Sequence, residues 1–233
     1  MTELSYPPGE SDGSTPQTLR DLAGEEVWGR LIAQAHTQWH PPGRTLLHQG
    51  EAGTHVLAVL SGRLKVVRTE RNGKLSLLAF RGPGELLGEM AVQTGGGRLA
   101  SVATLSRCRV AVTGKADFER FIDDNNLGPV LARYAITRVH ESTRAIAGGD
   151  PLLRLAATLV RIADTSDWPA PCAELSPDLT LTREELAQHL GISRNTVTDL
   201  LGDLRSCGVV TRRGHIVISD LTALRRTAAE LDG

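Results

Sequence analysis

The spacing of hydrophobic positions changes character several times along the chain. From Leu19 the apolar residues Leu22, Val27, Leu31 and Ile32 recur at roughly helical intervals, which predicts a helix ending near His36. The pattern then breaks into short Val- and Leu-rich runs at 45–49, 56–60, 63–69, 75–80, 101–105 and 107–113. Glycines punctuate them, at 43, 50, 53, 62, 73, 82, 84 and 88. Short strands with turn residues between them predict an antiparallel sandwich or barrel rather than βαβ units. Arg71-Asn72-Gly73-Lys74 reads as a type I′ hairpin turn, because Asn-Gly tolerates positive φ. Helical spacing returns at 116–123 and again at 127–147, where Val130, Leu131, Tyr134, Ala135, Val139 and Ile146 form a stripe that stops at Gly148-Gly149. Asp150-Pro151, an N-cap followed by a first-turn proline, opens another helix through Leu152, Leu155, Leu159 and Ile162. The glycine pair is the candidate interdomain hinge. Residues 1–17 read as a flexible tail, and 165–179 as a polar loop.

The chemistry concentrates in residues 180–205. Thr182-x-x-Glu185 is a capping box, Leu186 and Leu190 give a short apolar face, and Gly191 suits a left-handed turn. Ser193 caps a second helix whose buried side would be Val197, Leu200, Leu201 and Leu204. Two short amphipathic helices joined through a glycine make a helix-turn-helix. The β-runs at 209–218, around an Arg212-Arg213-Gly214-His215 tip, add a basic wing. An αα-hairpin buried in a larger helical core is the competing reading, and the wing and caps together favour DNA. Ser193, Arg194, Asn195 and Thr198 are the candidate base contacts, since Arg can read guanine bidentately and Asn can read adenine. Thr182, Arg183, Arg212 and Arg213 are assigned to phosphate. Asp199 and Asp203 either accept from cytosine or face solvent.

Composition narrows the classes. In 233 residues, 40% are hydrophobic and 23% charged, which argues against wholesale disorder or a coiled-coil rod. The absence of an apolar stretch of about 18 residues argues against a membrane span, and residues 1–17 lack a signal-peptide core. The chain therefore reads as cytoplasmic, with no membrane partner. A net charge of −1 does not oppose DNA binding, because only a local basic patch must meet phosphate. Cys108, Cys172 and Cys207 contain no C-x-x-C pair, and Cys207 reads as a small apolar group more readily than as a redox switch. Gly82-Pro83-Gly84-Glu85-Leu86-Leu87-Gly88 fails the dinucleotide fingerprint by one residue and precedes no long helix. With no nucleophile elbow, P-loop or paired-carboxylate arrangement, an enzyme is not expected. A nucleotide-binding module without DNA-binding activity is the alternative.

A glycine-punctuated β-domain, a long helix and a winged helix-turn-helix, in that order, resemble the Crp/Fnr family of bacterial transcription regulators. The resemblance spans roughly 20–220 and is most specific at 60–66 (LSGRLKV), 84–90 (GELLGEM), Arg98-x-Ala100-Ser101-Val102 and 181–204. It implies an α+β fold: a cyclic-nucleotide-binding-like antiparallel β-roll as sensor (18–125), a dimerisation helix (126–148) and a winged helix-turn-helix DNA-binding domain (149–233). It further implies a homodimer on an imperfect palindrome in double-stranded DNA, with RNA polymerase as a further partner. Pairing also follows from geometry, since two recognition helices about 34 Å apart meet successive major-groove faces. For the effector, the resemblance points to Gly88, Glu89, Arg98, Leu99, Ala100 and His140. In cyclic-AMP-binding members an Arg followed by Ser or Thr holds the phosphate, and a Thr-Ser pair on the long helix reaches the adenine. Here Leu99 stands at the hydroxyl position and Val139-His140 at the pair. A lost hydrogen bond to phosphate forfeits about 1.5–3 kcal/mol, so cyclic AMP, another nucleotide, an unrelated ligand or none remain open. An iron–sulfur cluster is excluded, because the mode needs an N-terminal cysteine cluster and the first cysteine is Cys108.

Overall fold

The computed structural model describes residues 17–73, 75–146, 150–163, 181–212 and 215–229, with the backbone alone at 139–146, 212, 215 and 217. Residues 1–16 of the tail expected at 1–17, the hinge at Gly148-Gly149, the loop at 165–179 and the wing tip at Arg213-Gly214 lie outside the described residues.

The expected first helix is two helices. α1 (Leu19–Ala23) ends at Gly24, whose φ of 85° breaks the helix, and α2 (Glu25–Ala33) resumes at once. His36 does not end a helix but starts a strand, β1 (His36–His40), whose sequence HTQWH has no apolar alternation to announce it. β2 (Thr45–Leu47), β3 (His55–Ser61), β4 (Leu64–Thr69) and β5 (Leu75–Arg81) follow the expected runs within a residue or two. The turn between β4 and β5 is not type I′: among its described residues only Gly73 has positive φ, and its amide donates to the Glu70 carbonyl at 2.9 Å. A two-residue strand, β6 (Leu86–Leu87), and a short helix, α3 (Glu89–Thr94), are additions to the expected elements. β7 (Ser101–Thr104), β8 (Cys108–Gly114), α4 (Lys115–Asp124) and the long α5 (Gly128–Ile146) match their predicted places.

The strands form two antiparallel four-stranded sheets, ordered β1-β8-β3-β6 and β2-β7-β4-β5. Alternation along β3 explains the layering. Leu57 and Val59 point between the sheets, where they meet Leu47, Leu64, Val102 and Val110. Val56 and Ala58 point the other way, into a core with Trp28, Phe118, Phe121, Leu131 and Tyr134 of the helices. The apolar stripe of α5 is thus partly buried on the chain's own β-domain. Tyr134 is pinned there, its hydroxyl accepting from Leu86 N at 3.1 Å and donating to Leu86 O at 3.0 Å.

The C-terminal half consists of α6 (Pro151–Ala163), α7 (Arg183–Leu190), α8 (Arg194–Asp203), a 3-10 turn at Leu204–Cys207, the hairpin β9 (Val209–Arg212) and β10 (His215–Ile218), and α9 (Leu221–Ala229). The Asp150 carboxylate accepts from Leu152 N at 2.9 Å, as the cap-proline pair predicts. Its core joins the β-domain through β5. The pairing Val66↔Ala79 and Val67↔Leu77 leaves Leu78 as an extra residue, a bulge. Leu77 and Phe80 consequently both enter the core of Leu159, Ile162, Leu186 and Leu190. Lys65 pairs with Glu185 across this seam, and Arg63 Nε donates to Ile162 O at 3.1 Å.

His189 lies in the same seam, 5% exposed, its ring edge-on to Phe80 at 5.2 Å. Burial, then the charge of Arg161, with lesser effects of Arg154 and Arg81, lowers its pKa from 6.5 to about 4, against a backbone hydrogen bond at Leu77 that acts to raise it. A histidine depressed on folding makes the unfolded chain the stronger proton binder between those values. Its contribution is therefore fully present above about pH 6.5 and is lost as pH falls toward about 4. Melting the full chain from pH 7 to pH 5 should show a falling midpoint that flattens in His189→Gln. Equal slopes in the two proteins would contradict this.

Candidate nucleic-acid interface and sensor cavity

The helix-turn-helix is built by its caps. Thr182 Oγ1 accepts from Glu185 N at 3.2 Å, and Glu185 Oε2 accepts from Thr182 N at 2.8 Å, so the capping box of α7 is complete. Gly191 turns the chain with φ 66° and ψ 31°, a conformation open to glycine at low cost. Ser193 Oγ then accepts from Thr196 N at 3.0 Å and fixes the start of α8. Val197, Leu201 and Leu204 are buried and Leu200 is half-buried, which orients the opposite edge outward.

On that outer edge Ser193, Arg194, Asn195 and Thr198 are all exposed, and the first turn of α8 carries no acidic residue. Asp199 and Asp203 are exposed farther along. The Ser193 hydroxyl serves mainly to cap, and Thr198 Oγ1 donates back to Arg194 O at 3.0 Å, so Arg194 and Asn195 are the side chains with the greatest reach. Thr182 is exposed and Arg183 half-exposed at the start of α7. The wing pairs Arg212 with His215 in register. The side chain of Arg212, and Arg213 entirely, lie outside the described residues.

The effector candidates meet at a cavity of about 500 Å3 bounded by both sheets, α3 and α5. Gly88, Glu89, Arg98, Leu99 and Ala100 all line it, whereas the His140 side chain is outside the described residues. Gly88 has φ 86°, and a Cβ there would meet the Arg98 guanidinium at 2.3 Å, so this glycine makes room for the arginine. Arg98 is only 4% exposed: Nη2 donates to His55 O at 2.8 Å and Nη1 to Gly88 O at 3.5 Å. Leu99, by contrast, is 64% exposed. Glu89 borders the cavity, and burial of its carboxyl raises its pKa.

Sequence reasoning missed a charged cluster at the α5 side of this cavity. Glu85 Oε1 accepts from Arg138 Nη1 at 3.1 Å, while Oε2 lies 3.6 Å from Arg81 Nε and accepts from Gly82 N at 3.3 Å. The Arg138 guanidinium also lies over the Tyr134 ring, 4.2 Å from its centre. No spacing rule links 81, 85 and 138; only the packing of α5 on β6 does. Elsewhere, Cys108 is buried with its thiol pushed up to about 11, and Cys207 packs at the edge of the C-terminal core. The described residues hold no group of three metal-ligating side chains, and no described helix is long and apolar enough to cross a membrane.

Residues 37–125 match the cyclic nucleotide-binding domain and 153–227 the Crp-like helix-turn-helix domain. The chain is 30% identical over 194 residues to the CRP-like cAMP-activated global transcriptional regulator of Mycobacterium tuberculosis, covering 81% of this chain and 86% of that one. It is 27% identical over 197 residues to the cAMP-activated global transcriptional regulator CRP of Escherichia coli O157:H7, covering 81% and 91%. A CRP/FNR-family transcriptional regulator from Thermus thermophilus shares the fold with a TM-score of 0.63 at 24% identity, over 84% of this chain and all (100%) of that one. With an N-terminal double sheet around a cavity, an outward-facing α8 and these matches to both halves, the chain belongs to the Crp/Fnr family of DNA-binding transcription regulators.

Proposed function

We propose that the chain acts as a homodimer paired along α5, setting two copies of α8 into successive major-groove faces of an inverted repeat. Arg194 and Asn195 read base edges, with Ser193 and Thr198 beside them, while Thr182, Arg183, Arg212 and Arg213 meet phosphate. In this reading 18–125 is the sensor, 126–148 the dimerisation helix and 149–233 the DNA-binding domain. The protein works in the cytoplasm as a regulator rather than an enzyme, with RNA polymerase as a further partner.

The observation that carries this reading is the exposed, carboxylate-free first turn of α8, held by its Ser193 cap. The outer side of α5, where Ala132 and Ile136 are exposed beside buried Leu131 and Tyr134, supports pairing. A test is sedimentation of the full chain with DNA selected from a random pool. Two chains per duplex on an inverted repeat, with much weaker binding to an isolated half-site, are expected. A monomer binding one half-site as tightly as the repeat would overturn it.

A further inference from the structure

The sensor cavity has a lining poorly suited to a nucleotide. Most of its wall is aliphatic, from Leu47 and Leu87 at the buried end to Met90, Leu99 and Ile136 at the exposed mouth. Its cationic groups are already engaged, Arg98 by the carbonyls of His55 and Gly88, Arg81 and Arg138 by Glu85, and burial pushes the fourth charged group, Glu89, toward its neutral form. A phosphate arriving here would have to draw Arg98 away from two backbone acceptors and would face Leu99 instead of a hydroxyl. An apolar body meets no such opposition. It would cover the exposed faces of Met90 and Leu99, and burying apolar area is favourable at about 25 cal/mol per Å2.

We propose that this cavity takes a small, uncharged, apolar molecule, of about the size of a two-ring aromatic, as the effector of the regulator. The inference rests on reading the N-terminal half as the sensor and names its ligand class. A second copy of the chain is the lesser candidate for covering these residues. The walls come from both sheets and two helices and enclose a concavity, so a partner helix lying along α5 would reach Ile136 at the mouth but not Leu47 or Leu87 at the bottom.

The experiment is a titration of the full-length protein with N-phenyl-1-naphthylamine, an uncharged dye that brightens in apolar surroundings. A saturable signal of one dye per chain, unaffected by millimolar cyclic AMP, is expected. Leu99→Ser should weaken it about threefold to tenfold by removing apolar contact, and Ala100→Trp, which fills the cavity, about tenfold or more. Displacement of the dye by micromolar cyclic AMP would overturn the proposal in favour of a nucleotide site. So would a signal that is absent, does not saturate, or survives Ala100→Trp unchanged. Conversion of the dimer to a monomer by Ala100→Trp would also overturn it, assigning the walls to a subunit interface. Binding of wild-type protein to selected DNA is measured in parallel: its failure would remove the regulator reading, while the dye titration would still decide the ligand class.

Discussion

Arg194→Ala is expected to cost about 1–3 kcal/mol per half-site and to erase the preference at one base pair, while leaving affinity for random DNA nearly unchanged. The expectation follows from position. Arg194 is the first residue of α8, exposed, and anchored by a cap on the preceding residue, so its guanidinium extends from a fixed point. A guanidinium on a guanine edge makes two hydrogen bonds that no other base pair reproduces, which is why its loss appears as lost discrimination rather than lost attraction. Arg183→Ala is the contrast. A phosphate contact weakens every sequence alike and reduces the salt slope by about one. Competition titrations against duplexes varied one base pair at a time separate the two patterns. If Arg194→Ala lowered specific and random binding equally, its role would be that of a phosphate contact.

Glu85→Ala should be among the most damaging single changes, destabilising the fold by about 3–5 kcal/mol. The carboxylate faces Arg81 on one oxygen and Arg138 on the other; Arg81 and Glu85 are buried and Arg138 is partly buried. Removing it leaves two guanidinium groups together at low dielectric, a penalty far larger than the net worth of the pair. The same logic sets the control. Glu85→Ala combined with Arg138→Met removes one of the two guanidinium charges and should recover part of the loss, a coupling visible in a double-mutant cycle. Denaturant unfolding followed by tryptophan fluorescence reads both, since Trp28 lies in the core that also holds Tyr134. A loss under about 1 kcal/mol for the single variant would show that the cluster is effectively solvated.

Much of this was legible in the residues. The two caps, the glycine turn and the apolar side of α8 are local devices, each written within four or five positions, and the structure places them as read. The strands with clear apolar runs were equally accessible. What escaped was whatever depends on distant partners. β1 has no fully buried position, so its sequence HTQWH carries no apolar alternation to read. Gly24 divides a helix-like pattern through a positive φ that spacing cannot reveal. At the sensor site, Leu99 declared the missing hydroxyl, but the engagement of Arg98 by two carbonyls and the bridge from Glu85 to α5 arise only when remote segments meet.

The extra residue in β5 has a consequence for modularity. Leu77 and Phe80 stand three positions apart and would fall on opposite faces of a regular strand; the bulge takes up one step, so that they share a face. A chimera that grafts this DNA-binding half onto another family member's front half would keep its joint if the donor strand carries the same bulge, or is regular and one residue shorter between the two apolar positions. A regular donor strand of equal length would instead turn one of the two anchors away, so parity at this strand, more than overall similarity, should govern which front halves are interchangeable.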